Sequence, residues 1–471
     1  MIKKIVIFLI FFILCINTVD AADIVFPSSK HTVINSYSTF FFGNVREKET
    51  LKINSEQVKI WDDGVFVHIV PLYYGENKIK IESTYKGKKH LQTYIVKRNK
   101  INNKSVLNYP LPKYIPKKNG IYLYTKTIKD NSTVRKGASK STQRIIDLPK
   151  GIVLYLAGKK GDYYKIEETG DTEFWIHKSN IEKPVEVTKK FYAGINKTAE
   201  NYSDKLYNYT KIYISHPVLY TFKQEGKILK LTLYGTSYSS DSEGKKNTEF
   251  NFNDNKTVLG YDGHYEEGCF IVRRAKTADN INKYTPLYGI RIHIDAGHGG
   301  HDKGAYGPSR VNEKDINLAI SKKLIQLLKK EGAKVSYSRL NDKYVKLYDR
   351  VNMAKENNAL ILLSIHNNSL PHGKNPYVTH GTETYYYNDN AKDLAVIIRK
   401  NLVKDLDLKD NGTRKASLAL NRSTNPVSVL IEIAYMINPQ EYTKLKSEVF
   451  QYKAALSIKK SLEEYMLLLQ K

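Results

Sequence analysis

Residues 291–300 read Arg291-Ile292-His293-Ile294-Asp295-Ala296-Gly297-His298-Gly299-Gly300. A short apolar strand, 292–295, runs straight into a glycine-rich turn, which puts His298 at the strand's C-terminal end. The rhythm downstream decides the fold. Residues 315–331 carry the period of an amphipathic helix that stops at Gly332, 334–339 read as a strand, and 347–357 read as a helix. A buried strand over 359–365, a strand over 381–387, a helix over 389–404 and a strand over 427–434 follow, with closing helices over 439–469. This alternation predicts one α/β domain over 291–471 with a mostly parallel sheet.

Upstream the pattern is different. Residues 24–97 alternate apolar and polar positions in short runs, such as Val65-Phe66-Val67-His68-Ile69-Val70, broken by Asp63-Gly64 and Tyr74-Gly75. That is the pattern of a small antiparallel sandwich, and its order resembles the bacterial immunoglobulin-like modules of secreted enzymes. Residues 98–130 contain Lys, Asn and Pro and read as a linker. Residues 131–183 form a compact β unit in which Leu148-Pro149-Lys150-Gly151 and Phe174-Trp175-Ile176-His177 resemble bacterial SH3-like modules. Its aromatic residues either line a groove for wall peptide or fill a barrel core. Residues 184–290 are again rich in strand patterns. The expected architecture is therefore an α/β domain preceded by several small all-β modules.

The chain has 471 residues, 41% hydrophobic and 26% charged, which excludes collagenous, largely disordered and polytopic membrane classes. Its formal charge is +27, spread nearly evenly along the chain. Such a surplus suits an anionic partner. The start of the chain favours export. Met1-Ile2-Lys3-Lys4 is a basic leader, 5–16 is an apolar run too short to span a bilayer, and Val19-Asp20-Ala21 offers a cleavage point before Ala22. Residues 1–21 thus read as a signal peptide with no membrane span after cleavage. Leu14 precedes Cys15 where a lipoprotein signal needs a small residue, so no lipid anchor is expected. Cys269 is then the single cysteine left, and no internal disulfide can form. Export and the lack of any Arg-rich arm or helix-turn-helix pattern argue against a nucleic-acid partner.

Four residues of the α/β domain need a reason. His298 stands on a glycine turn, Glu313 opens a helix, and His366 ends the apolar run Leu360-Ile361-Leu362-Leu363-Ser364-Ile365. Each alone has an ordinary structural explanation; Glu313, for example, is a carboxylate beside the exposed N–H groups of a helix start. Glu432 does not. It lies inside Val429-Leu430-Ile431-Glu432-Ile433-Ala434, where an ionised carboxylate is costly without a partner. Ligands of open α/β sheets bind beyond the C-terminal strand ends, where these residues gather. Two His and a carboxylate form a catalytic zinc set with a position left for water, and a separate carboxylate can carry a proton. Among the other histidines, His301 and His372 are the rival ligands.

At these residues the sequence resembles the zinc-dependent N-acetylmuramoyl-L-alanine amidases of bacterial cell walls. The matching blocks are 294–300, Asn312-Glu313-Lys314-Asp315-Ile316-Asn317-Leu318, Ser364-Ile365-His366-Asn367-Asn368, 381–387 and 429–435. The resemblance implies zinc ligands at His298, Glu313 and His366, a catalytic glutamate at Glu432, and cleavage between N-acetylmuramic acid and the L-alanine of the stem peptide. Peptidoglycan is then the expected partner, with anionic wall polymers a second, and the periplasm or cell wall the expected location. A non-catalytic wall-binding scaffold and a peptidase acting within the stem peptide are the rival readings. Only residues 367–380 separate His366 from the next strand, too few for the long inserted helix that blocks the metal in some division amidases.

Overall fold

The computed structural model describes residues 21–99, 114–116, 120–167, 172–196, 199–238, 247–253, 259–276 and 281–470. The expected signal peptide lies outside them except for Ala21, and so does residues 100–113 of the expected linker. Among the described residues no helix is long and apolar enough to cross a membrane.

Residues 23–98 form two facing sheets. One pairs Asp23–Phe26, Ser38–Asn44 and Val65–Pro71; the other has five strands, among them Gly75–Tyr85 and Lys88–Arg98. Alternation along Ser38–Asn44 sends Phe41 into the core between the sheets, with Leu51, Phe66 and Ile81. Phe40 and Phe42 point the other way and are buried too, at 3% and 5% exposure, against the C-terminal unit. A strand buried on both faces is an interface strand.

A second antiparallel sheet runs in the order Arg144–Leu148, Ser132–Arg135, Phe174–His177, Tyr163–Ile166, Val153–Lys160, Tyr122–Lys126 and Val185–Val187. Tyr122–Lys126 falls inside the stretch read as linker; it pairs with Val153–Lys160 and Val185–Val187, so this sheet begins before residue 131. Phe174 and Ile176 join the core of this sheet, while Trp175 is buried on its other face against Tyr114. The same core continues through Ile212, Leu231 and Phe270 of the strand-rich region that follows.

The C-terminal unit carries strands β1 (Arg291–Ala296), β2 (Lys334–Tyr337), β3 (Ile361–Asn368), β4 (Thr382–Tyr386), β5 (Asp410–Lys415) and β6 (Val427–Tyr435). Its helices are α1 (Glu313–Lys330), α2 (Leu347–Glu356), α3 (Lys392–Leu406), α4 (Pro439–Lys446) and α5 (Glu448–Leu468). The sheet order is β2-β1-β3-β6-β4-β5. Four neighbouring pairs are parallel, and β4 runs antiparallel to β6, so the sheet is mixed. Edge strand β5 was not foreseen: Asp-Asn-Gly-Thr-Arg-Lys has no apolar alternation to signal it, as suits a polar sheet edge. Ile320, Leu324, Ile398 and Ile458 of α1, α3 and α5 cover one face; Val351 and Ala354 of α2 cover the other. Between β3 and β4 the described chain holds turns and no helix.

Candidate metal centre

The loop after β1 is bent back by residues in the left-handed region, with φ of 60° at His298 and 133° at Gly299. Two buried arginines hold it. Arg339 Nη2 donates to the Gly297 carbonyl at 2.8 Å, and Arg350 Nη2 donates to that of His298 at 2.9 Å. Arg350 itself is fixed by the fully buried Asp295, at 2.8 Å. Close approach also dictates glycine here. A Cβ on Gly297 would stand 2.2 Å from the His366 ring, and one on Gly304 would stand 2.5 Å from Glu313 Oε2.

Glu313 begins α1 and its carboxylate is heavily contacted. Oε2 accepts from the Ala305 N–H at 2.9 Å, and Oε1 accepts from Asn317 Nδ2 at 3.1 Å and the Asn367 N–H at 3.2 Å. His298 Nε2 lies 3.1 Å from Oε2, and His366 Nδ1 lies 3.0 Å from Oε1. Ligand atoms of His298, Glu313 and His366 fall within 4.8 Å of one another. Burial opposes the charge on Glu313, but the two imidazoles reverse this and hold its carboxyl far below the usual range. Burial likewise opposes charge on His298, and Glu313 and Asp302 more than reverse it, raising its pKa.

Glu432 stands beside His366 in the β3–β6 register. Its Oε2 is shielded from solvent and has no hydrogen-bond partner. Burial first, and then the charges of Glu313 and Glu383, push its carboxyl well above the ordinary value. Two imidazoles and a carboxylate converging on one point, with an unpaired carboxylate alongside, are the donor chemistry of a metal site with open positions.

A sequence model of the N-acetylmuramoyl-L-alanine amidase family matches residues 292–464, a span that contains all four of these residues. The chain is 38% identical over 184 residues to the uncharacterised protein YqiI of Bacillus subtilis (strain 168), covering 38% of this chain and 86% of YqiI. It is 37% identical over 177 residues to N-acetylmuramoyl-L-alanine amidase LytC of the same organism, covering 37% of this chain and 35% of LytC. The probable cell wall amidase LytH of Staphylococcus epidermidis is 33% identical over 190 residues, which are 40% of this chain and 62% of LytH. The chain belongs to the N-acetylmuramoyl-L-alanine amidase family. It spans less than two thirds of LytC and of LytH.

Within this amidase-family unit the rival histidines are elsewhere. His301 stacks on Tyr344 with ring centroids 4.1 Å apart, and His372 lies against Phe26 and Phe40 at 5.1 and 5.5 Å. Two site residues escaped the sequence reading. Asp302 Oδ2 lies 2.9 Å from His298 Nδ1, close enough for an ion pair though not an aligned hydrogen bond, and a carboxylate behind an imidazole is common at metal ligands. Glu383, 3% exposed, faces Glu432 across the β4–β6 pair. It accepts from Tyr435 Oη at 2.8 Å and Asn368 Nδ2 at 3.3 Å, and from Tyr385 and Asn411. Glu383 lacks the signal that singled out Glu432: threonines flank it on both sides, and its burial comes from pairing with β6.

Proposed function

We propose that this chain is an exported, zinc-dependent peptidoglycan hydrolase that cleaves the amide bond between N-acetylmuramic acid and the L-alanine of the stem peptide. The observation that carries the reading is the convergence of His298, Glu313 and His366 beside the unpartnered carboxylate of Glu432. The three convergent donors fit zinc, and Glu432 beside them fits a proton carrier rather than a fourth ligand. A zinc ion held there would act as a Lewis acid on the scissile carbonyl and on the attacking water. Ala305, Asn317 and Asn367 fix the Glu313 carboxylate, so that ligand is set before anything binds, and Asp302 lies behind His298 at 2.9 Å. Glu432, its carboxyl kept ionised against the upward push by the positive charge of such an ion, takes a proton from the attacking water. It then delivers that proton to the alanine nitrogen as the C–N bond breaks.

Export rests on the basic and apolar leader of residues 1–21. The β regions then read as an immunoglobulin-like module over 24–97, an SH3-like module extended upstream from 131–183, and a strand-rich module over 184–290. The +27 charge would favour retention on anionic wall polymers. The test is mass spectrometry of fragments released from purified peptidoglycan by the mature chain, with and without a chelator. Free stem peptides with an L-alanine amino terminus, lost on chelation and restored by zinc, are expected. Shortened stem peptides still attached to sugar would make the chain a peptidase, and no release would favour a wall-binding scaffold.

A further inference from the structure

The N-terminal sandwich meets the C-terminal unit at the end of the sheet where the metal group stands. Phe42 packs on Tyr306, ring centroids 5.8 Å apart, one residue beyond the Ala305 N–H that donates to Glu313. His372, on the connection that follows His366, lies between Phe26 and Phe40. Tyr435, three residues beyond Glu432, is buried with Val25, Phe40, Phe42 and Val67. The sandwich therefore touches each of the three segments that carry or follow a site residue. Polar contacts fix its angle: Arg310 Nη2 donates to Asp23 Oδ1 at 2.8 Å, Lys446 Nζ to Asp63 Oδ2 at 2.7 Å, and Tyr377 Oη to the Val67 carbonyl at 2.6 Å.

Tyr435 connects this interface to the chemistry. Its ring is held by the sandwich, and its N–H donates to Glu441 Oε2 at 2.7 Å. Its hydroxyl donates to Glu383 Oε1 at 2.8 Å. Glu383 lies directly opposite Glu432 in the strand pairing. We propose that the N-terminal sandwich is a working part of the active site, and that Tyr435 is a positioning residue through which it sets Glu383 and thereby the carboxylate of Glu432.

The inference rests on the reading of Glu432 as proton carrier. A general base must sit within hydrogen-bond reach of the proton it moves, and displacement of about 1 Å costs roughly a hundredfold in rate. Glu432 has no hydrogen bond of its own to fix Oε2. Its placement therefore depends on the strand and on the neighbour across it. The sandwich has a separate core around Phe41, Leu51 and Phe66, so damage to its outer face need not unfold it.

Two variants of the full chain test this, each read by kcat and KM on a soluble muramyl peptide, by bound zinc and by melting temperature. Tyr435→Phe removes the hydroxyl and keeps the ring. It should lower kcat roughly 10- to 100-fold, with KM, zinc content and melting temperature near those of the unaltered chain. Phe40→Asp, which forces the sandwich off its partner, should lower kcat in the same way. If Phe40→Asp does not fold, Phe42→Leu, which removes a ring packed both on Tyr306 and in the cluster around Tyr435, carries the same expectation at smaller size. Unaltered kcat in Tyr435→Phe overturns the proposal. Loss of zinc in that variant overturns it too, because the effect would then run through the metal. Full kcat in the folded interface variant removes the sandwich from the mechanism. The functional reading is judged on the unaltered chain alone, so its failure is distinguishable from failure here.

Discussion

Two β regions grip the C-terminal unit, one at each end of its sheet, and they hold different things. The N-terminal sandwich uses a face of aromatic and branched side chains, and it touches the loop segments around Tyr306 and His372 and the end of β6 just past Glu432. The later strand-rich region meets the opposite end. There Asn390 Nδ2 donates to the Leu259 carbonyl at 2.7 Å, the Tyr261 N–H to the Thr424 carbonyl at 3.2 Å, and Asn425 Nδ2 to Asp262 Oδ2 at 2.9 Å. Those partners are a short turn and the approach to β6, far along the strand from Glu432. The first interface meets the segments that directly follow His298, His366 and Glu432, whereas the second meets segments several residues away from any of them. Damage at the first interface should therefore change turnover, and damage at the second should change only stability.

The largest effects belong to the site end itself. His366→Ala should lose both bound zinc and turnover, whereas Glu432→Gln should keep zinc and lose about 10²- to 10⁴-fold in kcat, the usual worth of a general base. Zinc content by elemental analysis beside peptide release separates the two. Retained stoichiometric zinc in His366→Ala would remove His366 from the ligand set, and an active Glu432→Gln would remove the reason for regarding this end as special.

Between the two interfaces lies a titrating group that should answer to neither. His293 is fully buried in β1, with ring nitrogens 2.9 Å from Ser336 Oγ and 3.1 Å from Ser338 Oγ. Burial pushes its pKa down to about 4, against about 6.5 in the unfolded chain. As pH falls below the unfolded value, the unfolded chain gains a proton that the folded chain refuses until near the lower value. Stability is thus present above the unfolded pKa and is lost on acidification through this window, at roughly 1.4 kcal/mol per pH unit. From pH 7 to 5 this amounts to about 2 kcal/mol. His293→Gln should flatten that part of the pH dependence in denaturant unfolding. An equal slope in both proteins would assign the acid lability elsewhere.

The site was largely legible because one of its residues is expensive where it stands. A carboxylate inside Val429–Ala434 demands explanation from local pattern alone, and His298, Glu313 and His366 gain theirs only when taken together with it. Asp302 was not legible, since a half-buried Asp in a glycine-rich loop draws no attention from local pattern. Nor was the docking of the sandwich. Thr39-Phe40-Phe41-Phe42 can be read as a strand buried on both faces, yet nothing local says that the outer face meets Tyr435, nearly four hundred positions later. Polar β5 was lost for the opposite reason: its place is set by pairing with β4, which the sequence of the strand itself does not announce. The mixed sheet has the same origin, because strand direction follows from how β4 is routed and not from its residues.

The smallest expected effect is the sharpest test of the contrast between the two interfaces. Asn390 Nδ2 bridges two carbonyls, that of Leu259 at 2.7 Å and that of Thr424 at 3.0 Å, and so ties the strand-rich region to the turn after β4 and the approach to β6. Asn390→Ala leaves both carbonyls without this donor in a buried setting, at a cost of about 1–2 kcal/mol. No element between Asn390 and the metal group is a loop free to shift: β4 and β6 are paired through Glu383 and Glu432, and the Thr384 hydroxyl donates to the Ala395 carbonyl of α3 at 2.9 Å. Unfolding in denaturant should therefore move to lower concentration while kcat and KM on a soluble muramyl peptide stay unchanged. A fall in kcat would show that this end of the sheet also reaches Glu432, and the division of labour between the two β regions would be lost.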